Sequence, residues 1–281
     1  MSKSFSYIDI HGHLNFAAYD SDREEVIKRA QESGVAMITV GTQIDTSRKA
    51  VELARTHENM YAAIGLHPVH TTSSHHDMQE LGEGGKEFTS RGEVVDSQAY
   101  IDLARDPKVV AIGECGLDYY HLNDESIKRQ RQTFESMIDI ANEVGKPLML
   151  HIRNPNEGLN SAYRDAYEIL KKRARVKGDL HFFAGSIEEA RPFLDLGYSF
   201  SFTGVITFTH DYDEVIRFIP LDRLMTETDC PYVAPKSHRG KRNEPAYVIE
   251  TVKALATIKS IPEDEVAKQV ISNARSFFKI P

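Results

Sequence analysis

Short apolar runs alternate with amphipathic stretches along most of the chain, and the alternation returns at intervals of roughly 30 residues, as expected of βα units on a parallel sheet. Eight runs have strand character: Tyr7–Ile10, Ala36–Gly41, Tyr61–Leu66, Val109–Gly113, Pro147–Leu150, Asp179–Phe183, Tyr198–Phe202 and Leu224–Thr226. Between them lie stretches that predict helices, several with apolar residues at three- and four-residue spacing: Arg23–Ser33, Ser47–Thr56, Ile127–Glu143, Ala162–Lys172, Ile187–Leu196 and Tyr212–Ile219. Many of these end in glycine, as in "ESG", "EVGK" and "DLGY", where a left-handed residue can close the helix before the next strand. The piece from Pro245 to Phe278 reads as two further helices.

Eight strands separated by helices suggest a (β/α)8 TIM barrel, a single α/β domain over residues 1–281; a doubly wound open sheet is the competing arrangement. Against the open sheet, "HGH" stands after the first strand where a dinucleotide fold carries its glycine-rich phosphate fingerprint. The segment from His67 to Ala99 is long, polar and glycine-bearing, with "LGEGGKEF" inside it. An inserted loop near 72–98, outside the repeat, is the expectation.

Composition narrows the class. At 41% hydrophobic and 27% charged, the 281 residues can bury a substantial core, which excludes disorder as the main state. No apolar run approaches the roughly 18 residues of a membrane helix, and the N-terminus enters a strand without a signal-peptide segment. Cys115 and Cys230 are far apart and make no disulfide framework, so a cytoplasmic protein is expected. A net charge of −8 excludes a general basic field for nucleic acid, though a local patch could still bind phosphate.

Candidate chemistry collects at the strand ends. His11 and His13 are two residues apart and share a face, which suits one ion or a hydrogen-bonded core pair equally. "AIGECGLD" places Glu114 just past the fourth strand, and "PLMLHIR" places His151 past the fifth. "GDLHFF" places His181 within the sixth, and "LMTETDCP" places Asp229 past the eighth. In a barrel these ends meet at one mouth. Burying six such groups without a counter-ion is costly, and a bound cation removes that cost. Four imidazoles and two carboxylates suit zinc, manganese or, with added waters, magnesium. Six ligands exceed one tetrahedral ion, so two divalent ions bridged by Glu114 are expected. Cys115 and Cys230 each follow a carboxylate, and strand alternation turns both thiols away from the site into packing.

With these residues in hand, the sequence resembles the TatD family of metal-dependent deoxyribonucleases, within the amidohydrolase-like metal hydrolases. The resemblance spans nearly the whole chain outside the inserted loop and rests on "DIHGHL", "IGLHP", "IGECGLDYY", "LMLHIR", "LHFFAGS", "TETDCPYVAP", "RGKRNEP" and "NARSFF". It implies a TIM barrel with the same six metal ligands and hydrolysis of DNA phosphodiester bonds, often as a 3′ to 5′ exonuclease. Phe182 and Ala184 stand where the family often has Cys and Thr, and Cys115 and Cys230 replace commoner Ile and Ser. These departures bear on metal preference and rate rather than on the ligand set.

The expected reaction is in-line attack on phosphorus by a metal-activated water. Asp229 and Glu114 are the expected catalytic carboxylates, Asp229 orienting that water and accepting its proton. His67, in "GLHP", is expected to contact phosphate or to anchor its loop ahead of Pro68. Arg153, two residues beyond His151, is expected to offer its planar donor to a phosphate oxygen, with a solvent-facing salt bridge as the alternative. "KSHRGKRNEP" is a concentrated basic stretch following the eighth strand; Arg239 and Arg242 would hold a polynucleotide backbone there, with Asn243 and Glu244 anchoring the loop or touching substrate. Tyr119 and Tyr120 would pack in the core or at the rim, with stacking on bases as the alternative. The expected partner is DNA, as single-stranded ends, with no membrane and no obligate protein partner. An amide, lactone or aminoacyl-ester hydrolase on the same site, and a non-catalytic scaffold, are the competing functions.

Overall fold

The computed structural model describes residues 5–73, 75–76, 88–89, 92–120, 124–156 and 161–281. Eight parallel strands follow one another in chain order: β1 (Tyr7–Gly12), β2 (Val35–Val40), β3 (Met60–Ile64), β4 (Val109–Asp118), β5 (Leu148–Arg153), β6 (Gly178–Leu180), β7 (Ser199–Phe202) and β8 (Leu224–Thr226). Around them stand α1 (Arg23–Glu32), α2 (Ile44–Thr56), α3 (Ser97–Ala104), α4 (Asp124–Val144), α5 (Ala162–Arg173), α6 (Ile187–Asp195), α7 (Asp213–Phe218), α8 (Val248–Lys259) and α9 (Glu263–Phe278). The glycines expected to close helices do so with left-handed backbone: Gly34, Gly145 and Gly197 have φ of 69°, 65° and 78°.

The seam between β1 and the residues after β8 makes this a barrel rather than an open sheet. A single bridge pairs Gly12 with Cys230. Asp229 N–H donates to the His11 carbonyl at 2.8 Å, and His13 N–H to the Cys230 carbonyl at 2.7 Å. Where the ladder is short, the Asp9 carboxylate completes it, accepting from Thr228 N at 2.9 Å, Thr228 Oγ1 at 2.5 Å and His11 N at 3.2 Å.

Strand alternation sorts the side chains. Ile8, Ile10, Ala36, Ile38, Val40, Tyr61, Ala63, Met149 and Met225 fill the barrel with Ala274, Phe278 and Ile280 from the α9 end of the chain. Their neighbours, such as Val35, Met37, Met60, Ala62, Leu148, Leu150, Phe200 and Phe202, pack outward with the helices. Two irregularities break the alternation at the site. Between Asp9 and Gly12 three steps on β1 answer two on β2. Between Ile112 and Cys115 three steps on β4 answer two on β5. These bulges let His11 face inward beside Ile10, and let Glu114 face inward although Ile112 packs outward, where strict alternation forbids both.

Several expected boundaries shift. Glu114 and His151 lie within β4 and β5, which run on to Asp118 and Arg153, rather than past their ends. His181 follows β6, which stops at Leu180, instead of lying inside it. Helix α3, capped by Asp96 accepting from Ala99 N at 3.1 Å, begins inside the segment expected to be insertion. Of that insertion, 74, 77–87 and 90–91 lie outside the described residues; His75–His76 and Phe88–Thr89 pair as a short antiparallel ribbon. Among the described residues no helix is long and apolar enough to cross a membrane.

Candidate metal centre

The fold brings all six expected ligands to one place, with Glu114 in the middle. Its Oε1 lies 2.9 Å from His151 Nδ1, 3.0 Å from His181 Nε2 and 3.2 Å from His67 Nε2. Its Oε2 lies 3.4 Å from His11 Nε2 and 3.8 Å from His13 Nε2. Asp229 Oδ1 faces the same two histidines, 3.8 Å from His11 Nε2 and 3.4 Å from His13 Nε2. Thus the two oxygens of one carboxylate look at different sets of imidazoles. His67, expected only at the mouth, sits with Glu114 and His151 closely enough to form a ligand set of its own.

Contacts behind the rings decide which nitrogen carries the proton. The Val40 carbonyl accepts from His13 Nδ1 at 2.9 Å, which leaves the Nε2 lone pair turned toward Asp229. Asp118 Oδ2 holds His151 Nε2 at 2.9 Å and leaves Nδ1 facing Glu114. His11 and His181 stack with centroids 3.8 Å apart and turn Nδ1 toward Glu227 Oε2, at 4.0 and 3.4 Å. Those three buried atoms have no hydrogen-bond partner among the described residues. Neutral rings held this way aim lone pairs at carboxylate oxygens, an arrangement that repels unless a cation or extra protons intervene. The residues therefore fit a divalent ion. His67 is different: its Nδ1 accepts from Val69 N–H at 3.2 Å, so in the neutral ring Nε2 carries hydrogen and is a donor rather than a ligand.

Electrostatics agree. Burial raises the Glu114 carboxyl, but His67, His181 and His11 outweigh it and hold it well below the usual range. Burial pulls His151 down, yet Asp118 and Glu114 lift it to about 8. His181 rises well above its ordinary value against the same penalty, through Glu227 and Glu114. His11 and His67 are lowered, by burial first and by a neighbouring histidine in each case. In the metal-free chain, protons on His151 and His181 occupy the role of the cation.

Local backbone geometry serves the same cluster. Asp229 and Phe182 adopt left-handed φ of 53° and 45°, which residues other than glycine rarely take. Phe182 N–H donates to Glu227 Oε1 at 2.6 Å, pinning the turn that carries His181. Asp118, Glu227, Asp9 and the Val40 carbonyl were not singled out from sequence. Glu227 stands two residues before Asp229 and Asp9 two before His11, so the spacing that pairs His11 with His13 was available to find both.

The remaining expected residues divide. Arg153 lies over the Tyr120 ring, its Cζ 3.7 Å from the centroid. Tyr119 is buried and donates its hydroxyl to Asp165 Oδ2 at 2.9 Å, the packing role rather than the stacking alternative. Arg239 covers Phe208 at 4.6 Å. Arg242 is committed to the scaffold instead, bidentate on Asp22 at 2.9 and 2.6 Å and donating to the Ala18 carbonyl at 2.6 Å. Asn243 is fully buried and donates to the Thr228, Tyr232 and Val233 carbonyls, so it anchors the loop carrying Asp229. Glu244 takes both guanidinium arms of Arg29 at 2.8 Å. Both cysteines are buried, as expected; burial raises both thiols, Cys230 to about 12, which keeps them protonated.

The family model described as TatD related DNase matches residues 8–279. The metal-dependent hydrolase YabD of Bacillus subtilis (strain 168) is 38% identical over 279 residues, covering 97% of this chain and 98% of that protein. YcfH of Escherichia coli (strain K12), also named a metal-dependent hydrolase, is 32% identical over 97% of this chain and 96% of its own. Among solved structures, the TatD homologue YJJV of Escherichia coli K12 superposes with a TM-score of 0.81 at 27% identity, over 98% of this chain and 99% of that one. Fold, ligand cluster and sequence agree: the chain belongs to the TatD family of metal-dependent hydrolases.

Proposed function

We propose that this chain, acting as one hydrolase unit, cleaves phosphodiester bonds in DNA, working from single-stranded ends in the 3′ to 5′ direction. Two divalent ions, zinc, manganese or magnesium, would be held by His11, His13, Glu114, His151, His181 and Asp229, with Glu114 common to both sets of donors. The observation that carries this reading is the two-sided Glu114 carboxylate, each oxygen facing its own group of imidazoles. An ion pair in such a site activates water and neutralises charge on the attacking and leaving oxygens.

The chain's own residues supply the rest. Asp229 orients the attacking water and accepts its proton at Oδ1; at 15% its side chain is more exposed than that of Glu114 at 4%. His67 Nε2–H donates to a non-bridging phosphate oxygen, since its other nitrogen already accepts from Val69. Arg153 offers its planar donor to the next oxygen, and Arg239 meets the strand farther out. Arg242, Asn243 and Glu244 shape the loop that holds Asp229 and Arg239. The two unpaired, buried thiols accord with a reducing compartment, and we place the protein in the cytoplasm.

The test is to strip the protein of metal, restore zinc, manganese or magnesium one at a time, and assay end-labelled single- and double-stranded DNA beside an ester and amide panel. Shortening of single strands from the labelled 3′ end is expected. Turnover of the panel alone moves the assignment to carbonyl hydrolysis, and turnover of neither supports a scaffold.

A further inference from the structure

Arg153 and Arg239 at the mouth each place a guanidinium over an aromatic ring. Arg153 covers Tyr120 at 3.7 Å, beside the ends of β4 and β5, where Arg153 pairs in register with Asp118. Arg153 also follows His151 by two residues on β5 and so shares its face. Arg239 covers Phe208 at 4.6 Å, between the loops after β7 and β8. Those two loops are joined by Lys236 N–H donating to Thr207 Oγ1 at 2.8 Å. The junctions of β4 with β5 and of β7 with β8 are three strands apart around an eight-stranded ring, so the two pairs stand on different sides of the metal centre.

The second pair is open to solvent and has basic side chains around it. Phe208 and Val94 are the two exposed large hydrophobic side chains among the described residues, and Phe208 is 38% exposed. Lys236, Arg239 and Lys241 are all exposed nearby. No acidic residue occurs between Asp229 and Glu244. The acids on the neighbouring loop have partners of their own: Asp211 accepts from Thr209, and Asp213 faces His210 and Arg217. An exposed ring under a guanidinium, fringed by lysines, suits a ligand with flat faces joined by anionic links.

We propose that Arg153–Tyr120 and Arg239–Phe208 are nucleobase platforms, on which bases of one single strand stack on either side of the phosphate at the metal centre. The inference rests on the phosphodiester reading and specifies its substrate as a strand of several nucleotides. Base–aromatic stacking tolerates every sequence because each base has a π-face, and arginine adds a cation–π contact. A duplex offers no such faces except at its ends.

The chain contains no tryptophan, so Phe208→Trp introduces a single fluorescent reporter at the outer platform. Titrating the metal-loaded variant with a phosphorothioate oligothymidylate about ten nucleotides long is expected to quench that fluorescence. By polarisation, Phe208→Leu, which keeps an apolar side chain but no ring, weakens binding of the labelled oligomer about fivefold or more, and Phe208→Trp restores it. Melting temperatures establish that the variants are folded. Absence of quenching together with wild-type affinity in Phe208→Leu rejects the platform while leaving phosphodiester cleavage standing. Quenching by a protein that cleaves no phosphodiester keeps the platform and rejects the parent reading. Failure of the wild-type chain to bind the oligomer rejects the platform outright.

Discussion

The two ends of the barrel handle charge in opposite ways. At the floor, lysines are satisfied by the chain itself: Lys146 Nζ donates to the carbonyls of Ala104, Asp106 and Val109, and Lys108 Nζ to those of His57 and Met60. Burial lowers both amines, yet each sits in a ring of oxygens. At the mouth, imidazole lone pairs and carboxylates face one another, and His11 Nδ1, His181 Nδ1 and Glu227 Oε2 lack hydrogen-bond partners among the described residues. The difference separates architecture from function. Charges answered from within hold a fold together, whereas buried polar atoms left without a hydrogen-bond partner await something from outside.

Variants at the two ends should separate accordingly. Asp229→Asn is expected to lower turnover by about 10²–10⁴-fold, the range of a lost general base, while leaving the melting temperature of the metal-free chain close to wild type. Normal turnover with a full metal complement would remove the base from Asp229. At the floor, Phe278→Ala should cost about 3–5 kcal/mol of stability by denaturant titration and leave metal stoichiometry unchanged. Loss of metal in that variant would show that the two ends are coupled. A smaller effect belongs to Asp118→Asn, which removes the carboxylate behind His151; metal affinity by calorimetry should fall about 10–100-fold.

The smallest effect is in pH. His151 in the metal-free chain is raised from 6.5 to about 8, so its contribution to stability is complete below 6.5 and lost as pH rises through about 8. The melting temperature of the metal-free chain should therefore fall across that window, by an amount on the order of 1–2 kcal/mol in stability. Added zinc should reverse the fall, because it takes the nitrogen that the proton leaves. A flat profile would mean that His151 does not carry the proton assigned to it.

Much of this molecule was legible in its sequence. Alternating apolar runs and helix-closing glycines located all eight barrel strands, because a strand buried on both faces cannot hide its hydrophobicity. The clustering of the six candidate ligands was legible because polar groups at the ends of apolar strands are conspicuous. What escaped was set by neighbours rather than by the local stretch. Asp118 acquires its role only when β4 and β5 lie side by side, and Arg242 loses its expected one because Asp22 reaches it from the other end of the chain. The bulges turning His11 and Glu114 inward were signalled by Gly12 and Gly113, although a glycine in a strand says that something bends and not which way. Helix α3 was hidden by its eight-residue length and polar lead, despite the capping signal at Asp96.

The seam carries a consequence for synthesis. His11 belongs to the first strand and His13 follows its end, Asp229 lies in the turn after the last, and Asp9 clasps Thr228 across 219 residues. A nascent chain released short of that turn has half a pincer and an unzipped cylinder. If the proposed site is the working one, fragments ending short of that turn are expected to be inert however well their helices form.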